Sequence, residues 1–278
     1  MSIVITTNPH TPDPEAPRRY WEARAKRYAV VGDGLAAVCS YGMPAFYNRY
    51  TQALQRRVLA PFLAVSPGAS VLEIGCGIGR WSRQFADAGA SVVGLDLSST
   101  MVAEARRQTA RCRVAAACRF LVSDVTAFSL RRRFDLIFGV TVLQHVLEPA
   151  RLQAALDRIA DHLAPGGRVV LLEAAPTIAT GRCDSPIFVA RDEATYRRAF
   201  ERAGLSVQSV RAVDPAPFRM MLLPRYQALP RMVAVAGMLM ATAASLAVDF
   251  GPWSPPVDAS WHKVFVLDIQ HRAGDGNR

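Results

Sequence analysis

Between Val71 and Arg80 the chain reads VLEIGCGIGR, an apolar run that closes on an acid and then sets glycines at 75, 77 and 79. Glycines allow positive φ and let a ligand approach the backbone, and free N–H groups at a helix start hold anionic or polar ligand ends. The stretch therefore predicts a nucleotide-sized binding loop. A dinucleotide fingerprint requires Gly-x-Gly-x-x-Gly; here the third glycine falls one place early and Arg80 follows it. Glu73, Asp96, Asp124 and Glu173 each follow an apolar run, so all four acids are expected to end strands and to converge on one edge of a sheet. An acid ending the second strand can accept both hydroxyls of a ribose through charge-assisted bonds. His145 adds a group that titrates near neutrality.

The elements that must position these groups follow from periodicity. Strands are expected at Val71 to Ile74, in SVVGLD ending at Asp96, from about Arg119 to Ser123, at Phe134 to Val140, in RVVLLE ending at Glu173, at Leu205 to Val213 and at Lys263 to Ile269. Between them, Trp81 and Phe85 share a helix face, Ser98 can cap a helix with Met101 and Val102 inward, and Leu152, Leu156, Ile159 and Leu163 form one stripe. Repeated strand–helix–strand units predict an α/β fold, a doubly wound seven-stranded and mainly parallel sheet covered on both faces, whose ligand sits at the carboxyl ends of the strands. Two aromatic, arginine-rich helical segments precede the first strand and are expected to form a lid. The domain expectation is a tail and helical lid at 1–64, a ligand-binding core at 65–213, an apolar helical insertion at 214–258, and a last strand and tail at 259–278.

With EIGCGIGR, GLDLS, SDV at Ser123 to Val125, FDLIFGVTVLQHV and LAPGGRVVLLE in place, the chain from about Ser70 to Glu173 resembles the class I methyltransferases. Within that superfamily it is most similar to small-molecule enzymes of the ubiquinone-biosynthesis and secondary-metabolite type. The resemblance implies S-adenosylmethionine as cofactor, with Gly75, Cys76 and Gly77 at its methionine end. It places Asp96 on the ribose, Leu97 beside the adenine, and Asp124 on the adenine amine, with Val125 donating its backbone N–H. Glu73, Met101 and Val140 complete the expected cofactor pocket. His145, in the segment matching the family's LxHv, becomes the candidate catalytic base, with a positioning or packing role as its alternative. No (N/D)PP(Y/F) segment follows the fourth strand and no metal-binding acids follow Val140, so amino methylation of nucleic acid and a metal requirement are not expected.

Acceptor residues are sought on either side of that core. Tyr20, Trp21, Tyr28 and Tyr47 precede it, Glu173 ends the fifth strand, and Met220 and Tyr226 lie in the insertion that contains the charge-free run Met232 to Val248. That run is short of the ~20 residues a span needs, and is read as an apolar substrate lid, a core helix, a dimer face or a shallow membrane contact; His262 is a further pocket position. The formal charge of +10 rests on arginine, Lys26 and Lys263 being the only lysines, but no basic block is interleaved with aromatics, so nucleic acid is not an expected partner. Five cysteines without a Cys-x-x-Cys pair suit a reducing, cytoplasmic setting. The expected function is methylation of a small, largely apolar metabolite, with oxygen slightly favoured over carbon or nitrogen. Methylation coupled to alkene cyclisation and an RNA- or membrane-directed role are the alternatives.

Overall fold

The apolar runs form one seven-stranded sheet. A computed structural model describes residues 15–40, 42–178, 187–214, 223–251 and 256–269. Three helices, α1 (Ala16–Tyr28), α2 (Leu35–Val38) and α3 (Ala45–Leu63), precede the alternating core of β1 (Ser70–Ile74), α4 (Arg80–Asp87), β2 (Ser91–Asp96), α5 (Ser99–Thr109), β3 (Cys118–Val122), β4 (Phe134–Val140), α6 (Pro149–Asp161) and β5 (Leu163–Ala174). Then come α7 (Glu193–Arg202), β6 (Leu205–Ala212), α8 (Arg231–Asp249) and β7 (His262–Ile269). The strand order is β3-β2-β1-β4-β5-β7-β6, and β7 runs antiparallel to both β5 and β6.

Period-two alternation divides the core into two layers. Leu72, Ile74, Ile137, Val169 and Leu171 face a layer that holds Leu156, Ile159, Tyr196 and Phe200. Val71, Leu136, Phe138, Val170 and Leu172 face the other layer, with Trp81, Phe85, Leu59 and Phe62. The expected unit fails once, because no helix joins β3 to β4. That loop is instead pinned by Leu130 N donating to His162 Nε2 (2.9 Å), with Phe128 buried against the same ring. Pro165 to Gly167 form a bulge within β5: Phe134 pairs with Leu163, whereas Leu136 pairs with Arg168.

The insertion helix α8 buries Ala234 and Met238 beside a polar stripe and turns large apolar residues toward solvent. Thr242, Ser245 and Asp249 are among its buried residues, and Tyr50 Oη donates to Asp249 Oδ2 at 2.7 Å. Met232, Leu239 and Met240 are 86%, 54% and 69% exposed. Among the described residues α8 alone is long and apolar enough to cross a membrane, by length and composition.

Candidate active site

A cavity of about 300 Å³ opens at the carboxyl ends of β1, β2 and β4 and is lined by Gly75, Gly77, Asp96, Leu97, Met101, Asp124, Val125 and Val140, among others. Gly75 and Gly77 have φ of +61° and +52°, and a Cβ on either would lie 2.4 Å from Val142 Cγ2 or 2.6 Å from Val38 Cγ1. Only glycine fits these turns without displacing a wall of the cavity. Asp96, the last residue of β2, accepts from Gly77 N (2.8 Å) through Oδ2 and from Ser98 N (2.9 Å) through Oδ1. Each oxygen keeps a second lone pair for a ligand. Burial pushes this carboxyl up to about 6, against the pull of the Ser98 and Gly77 amides. Asp124 is more fully engaged: Thr126 N and Oγ1 donate to Oδ1 at 2.8 Å each, and Arg151 Nη2 lies 2.6 Å from Oδ2.

The preceding helices cover this cavity. Trp21 of α1 and Val38 of α2 line it, and Glu22 fixes α1 to the N-terminal turn of α5 by accepting from Ser99 N (2.9 Å), Thr100 N (3.2 Å) and Ser98 Oγ (3.0 Å). Burial works to raise the Glu22 carboxyl, but these donors together outweigh it and hold the group at about 2. An ionised acid at a helix N-terminus is also favoured by the macrodipole. Arg24 Nη2 donates to Cys39 O at 2.7 Å, tying α1 to the end of α2.

The four acids do not share one edge. Register pairs Glu73 with Gly94, two rungs below Asp96, so its side chain lies within the layer beside α4, 2% exposed, and accepts from Ser82 Oγ. Cys76 is likewise buried against Val102, Ala105 and Phe120 and lines neither cavity. Burial raises Glu73 from 4.5 to about 8, with Ser82 opposing. An acid whose folded value is raised contributes stability that is complete below its unfolded value and is lost as pH climbs through the folded one. Wild-type protein is therefore expected to lose thermal midpoint between about pH 5 and about pH 8.5, and Glu73→Gln to flatten that slope. Asp96 and Glu173, raised by burial to about 6 and 7, leave a residual slope of the same sign. Parallel wild-type and variant slopes would refute the assignment.

Glu173 holds a loop. Fully buried, it accepts from the backbone N–H of Val142 (3.0 Å), Leu143 (2.9 Å) and Gln144 (3.1 Å), at the start of a 3-10 turn, Leu143–His145. From the other side Arg191 donates to the carbonyls of Leu143 (3.1 Å), Val146 and Leu147 (2.8 Å). Thr141 begins the loop with φ of +56°, a conformation that costs a β-branched residue energy and persists where its surroundings impose it. His145 projects from this clamped turn. Its Nδ1 lies 2.7 Å from Ile187 O, so that nitrogen carries the proton, and Gln144 Nε2 sits 3.3 Å from Nε2. Burial, with Arg24 nearby, pushes the ring down to about 4.

A second cavity of about 180 Å³ lies behind His145 and shares Trp21, Val38, Thr141 and His145 with the first. Tyr47 lines it. Tyr20 packs edge-on against Trp21 at 5.5 Å, Tyr28 packs near Ala25 and Ile78, and Tyr226 lies in a 3-10 turn before α8; none of the three lines either cavity. Met220 lies outside the described residues. Glu22, Arg151, Arg191 and Asp214 were not legible as site residues, because each acts on a partner at least 27 positions away. No cluster suited to a metal ion occurs among the described residues.

Residues 71–167 match the family model described as a methyltransferase domain. The chain is 35% identical over 139 residues to a malonyl-[acyl-carrier protein] O-methyltransferase of Enterobacter lignolyticus (strain SCF1), covering 49% of this chain and 52% of that protein. It is 35% identical over 104 residues to a ubiquinone biosynthesis O-methyltransferase of Pseudomonas paraeruginosa (strain DSM 24068 / PA7), covering 37% and 44% respectively. The chain thus spans about half the length of these curated relatives. The fold is similar to that of magnesium protoporphyrin IX methyltransferase from Synechocystis PCC 6803 with bound SAH, at TM-score 0.59 and 18% identity over 92% of this chain and 99% of that one.

Proposed function

We propose that this chain, whose residues 71–167 match a methyltransferase domain, is a class I, S-adenosylmethionine-dependent methyltransferase and that it methylates a small, largely apolar metabolite, with oxygen favoured as acceptor. The observation that carries this reading is the pair of adjoining cavities, one floored by glycines and closed by Asp96, the other walled by aromatic side chains. The first suits the cofactor: Gly75 and Gly77 seat its methionine end, Asp96 takes the ribose hydroxyls, and Leu97, Met101, Asp124, Val125 and Val140 enclose the adenine. Bound there, the cofactor supplies an activated methyl carbon on a sulfonium.

The chain's own residues then have to exclude water and align an acceptor for in-line attack. Trp21, on the helix held down by Glu22, and Val38, on the helix tied to it through Arg24, close the site. His145 stays neutral across the physiological range and is, in this reading, a positioning side chain: the ring packs edge-on against Trp21 at 4.9 Å and borders both cavities. No residue of α8 lines either cavity, so its outward apolar face is assigned to the delivery of an apolar acceptor from a lipid surface. Free Cys39, Cys76, Cys112 and Cys118 fit a reducing compartment such as the cytoplasm.

Calorimetry with S-adenosylhomocysteine is the direct test, and saturable binding is expected. A folded sample that gives no heat at about 1 mM ligand would refute the cofactor assignment. Labelled-methyl transfer to extracts of small phenols and lipids, with and without anionic vesicles, then identifies the acceptor class.

A further inference from the structure

We propose that His262, oriented by Asp214, is the base that deprotonates the acceptor, and that the second cavity takes a planar phenolic or enolic molecule. The inference rests on the methyltransferase reading and adds the group that the reading lacks, because His145 holds its Nδ1 proton on a neutral carbonyl and is only weakly basic. His262 opens β7, and its Nδ1 lies 2.6 Å from Asp214 Oδ2. Asp214 is 5% exposed and is itself fixed, since Oδ1 accepts from His262 N (2.8 Å) and Ser260 Oγ (3.0 Å). A carboxylate only accepts, so Nδ1 carries the proton and Nε2 presents the basic lone pair. Among the described residues Nε2 has no hydrogen-bond partner, while the side chain lines the second cavity. A carboxylate behind an imidazole stabilises the imidazolium that proton abstraction creates.

The remaining walls fit a flat, hydroxylated ring. Trp21, Phe188 and Trp261 supply aromatic faces. From α3, Tyr47, Thr51 and Gln55 face the cavity at successive intervals of four, as one helix face should. Thr51 Oγ1 is buried without a hydrogen-bond partner, an arrangement that costs free energy unless a ligand supplies one. Other charged or titratable groups bordering the cavity are Arg24 from α1, Cys39 after α2, Tyr47 from α3 and His145 from the loop after β4. Lys263, next along β7, turns away to Glu193 Oε2 at 2.7 Å. The Arg24 guanidinium, over the Trp21 ring at 4.9 Å and donating to Cys39 O, puts a positive charge on the wall of the same cavity.

The step balances. The acceptor O–H proton passes to His262 Nε2, an oxygen electron pair forms the new O–CH₃ bond, and the S–CH₃ bond breaks with its pair left on sulfur. The imidazolium then returns its proton to water.

The test uses full-length protein loaded with S-adenosylhomocysteine and 4-nitrophenol as probe, whose ionised form is read by its yellow absorbance. Wild type is expected to bind it saturably and to favour the phenolate, so that the apparent phenol pKa falls on binding. His262→Ala is expected to retain S-adenosylhomocysteine affinity but to lose at least about tenfold of the bound phenolate-to-phenol ratio, a change of one pKa unit. Thr51→Met, which fills the cavity from its wall, should abolish probe binding and spare the nucleoside. Absence of saturable probe binding in protein that binds S-adenosylhomocysteine overturns this assignment alone, as does an unchanged phenolate ratio in a folded His262→Ala. Failure of a folded wild type to bind S-adenosylhomocysteine overturns the methyltransferase reading beneath it.

Discussion

Asp96→Ala is expected to weaken S-adenosylhomocysteine binding by about 10²- to 10⁴-fold. The figure follows from two hydrogen bonds to an ionised acceptor, each worth about 1.5–3 kcal/mol, at 1.4 kcal/mol per factor of ten. The carboxylate reaches the ligand already oriented, because Gly77 N and Ser98 N each hold one of its oxygens. The alanine variant therefore loses a ligand contact and also frees the glycine loop's own N–H. Asp96→Asn keeps one acceptor oxygen and should fall between the two. Burial holds this acid at about 6, and the ionised form is the better acceptor, so affinity should decline as pH falls below about 6 in wild type and be flat in the asparagine variant. Calorimetry from about pH 5 to about pH 8 measures both effects. Alanine affinity within threefold of wild type, in a variant with an unchanged thermal midpoint, would remove Asp96 from the ribose.

Why Asp96 was legible and Glu73 misleading is a matter of height in the sheet. Both follow apolar runs, and a run alone does not say where a strand ends relative to its neighbours. Pairing of Glu73 with Gly94 puts it two rungs, about 6.6 Å, below the level of Asp96. Glu173 stands high enough, one rung above Leu172, which pairs with Val140. It projects to the face of Leu171, where Leu143 lies. The order of the strands and the antiparallel seventh strand add contacts that local periodicity does not contain. Asp214 and His262 are 48 positions apart and meet because β6 and β7 pair antiparallel, with Ala212 opposite Lys263. Glu22 finds Ser98 across 76 positions by the docking of a helix outside the sheet. The first cavity was readable because its residues sit in short motifs at the carboxyl ends of β1, β2, β3 and β4, each legible locally. The second cavity, the proposed acceptor site, is assembled mainly from α1, α3, β7 and the loops between other elements.

That assembly depends on the loop after β4, and the largest effect on stability is expected from its clamp. Glu173 takes three N–H groups at the start of the loop and Arg191 donates to three carbonyls further along it, both side chains being buried. The carboxyl and the guanidinium are thus satisfied through the intervening backbone and not by touching each other. Removing one leaves polar groups buried without partners, a change that typically costs about 3–5 kcal/mol. Arg191→Met, which keeps the side chain's length and apolar stem, is expected to lose that much in urea denaturation with its slope unchanged. Glu173→Gln is nearly isosteric but turns an amide N–H toward a backbone N–H, and should cost about 1–3 kcal/mol. Since both residues act on one loop, the double variant should lose less than the sum of the single losses. Thr141 and His145 ride on that loop and stand between the two cavities. Either variant should therefore slow methyl transfer more than it weakens S-adenosylhomocysteine binding, whose main acceptor is on β2. Equal losses in both would mean that the loop shapes the cofactor pocket alone, and stability within 1 kcal/mol of wild type for Arg191→Met would mean that water replaces the clamp.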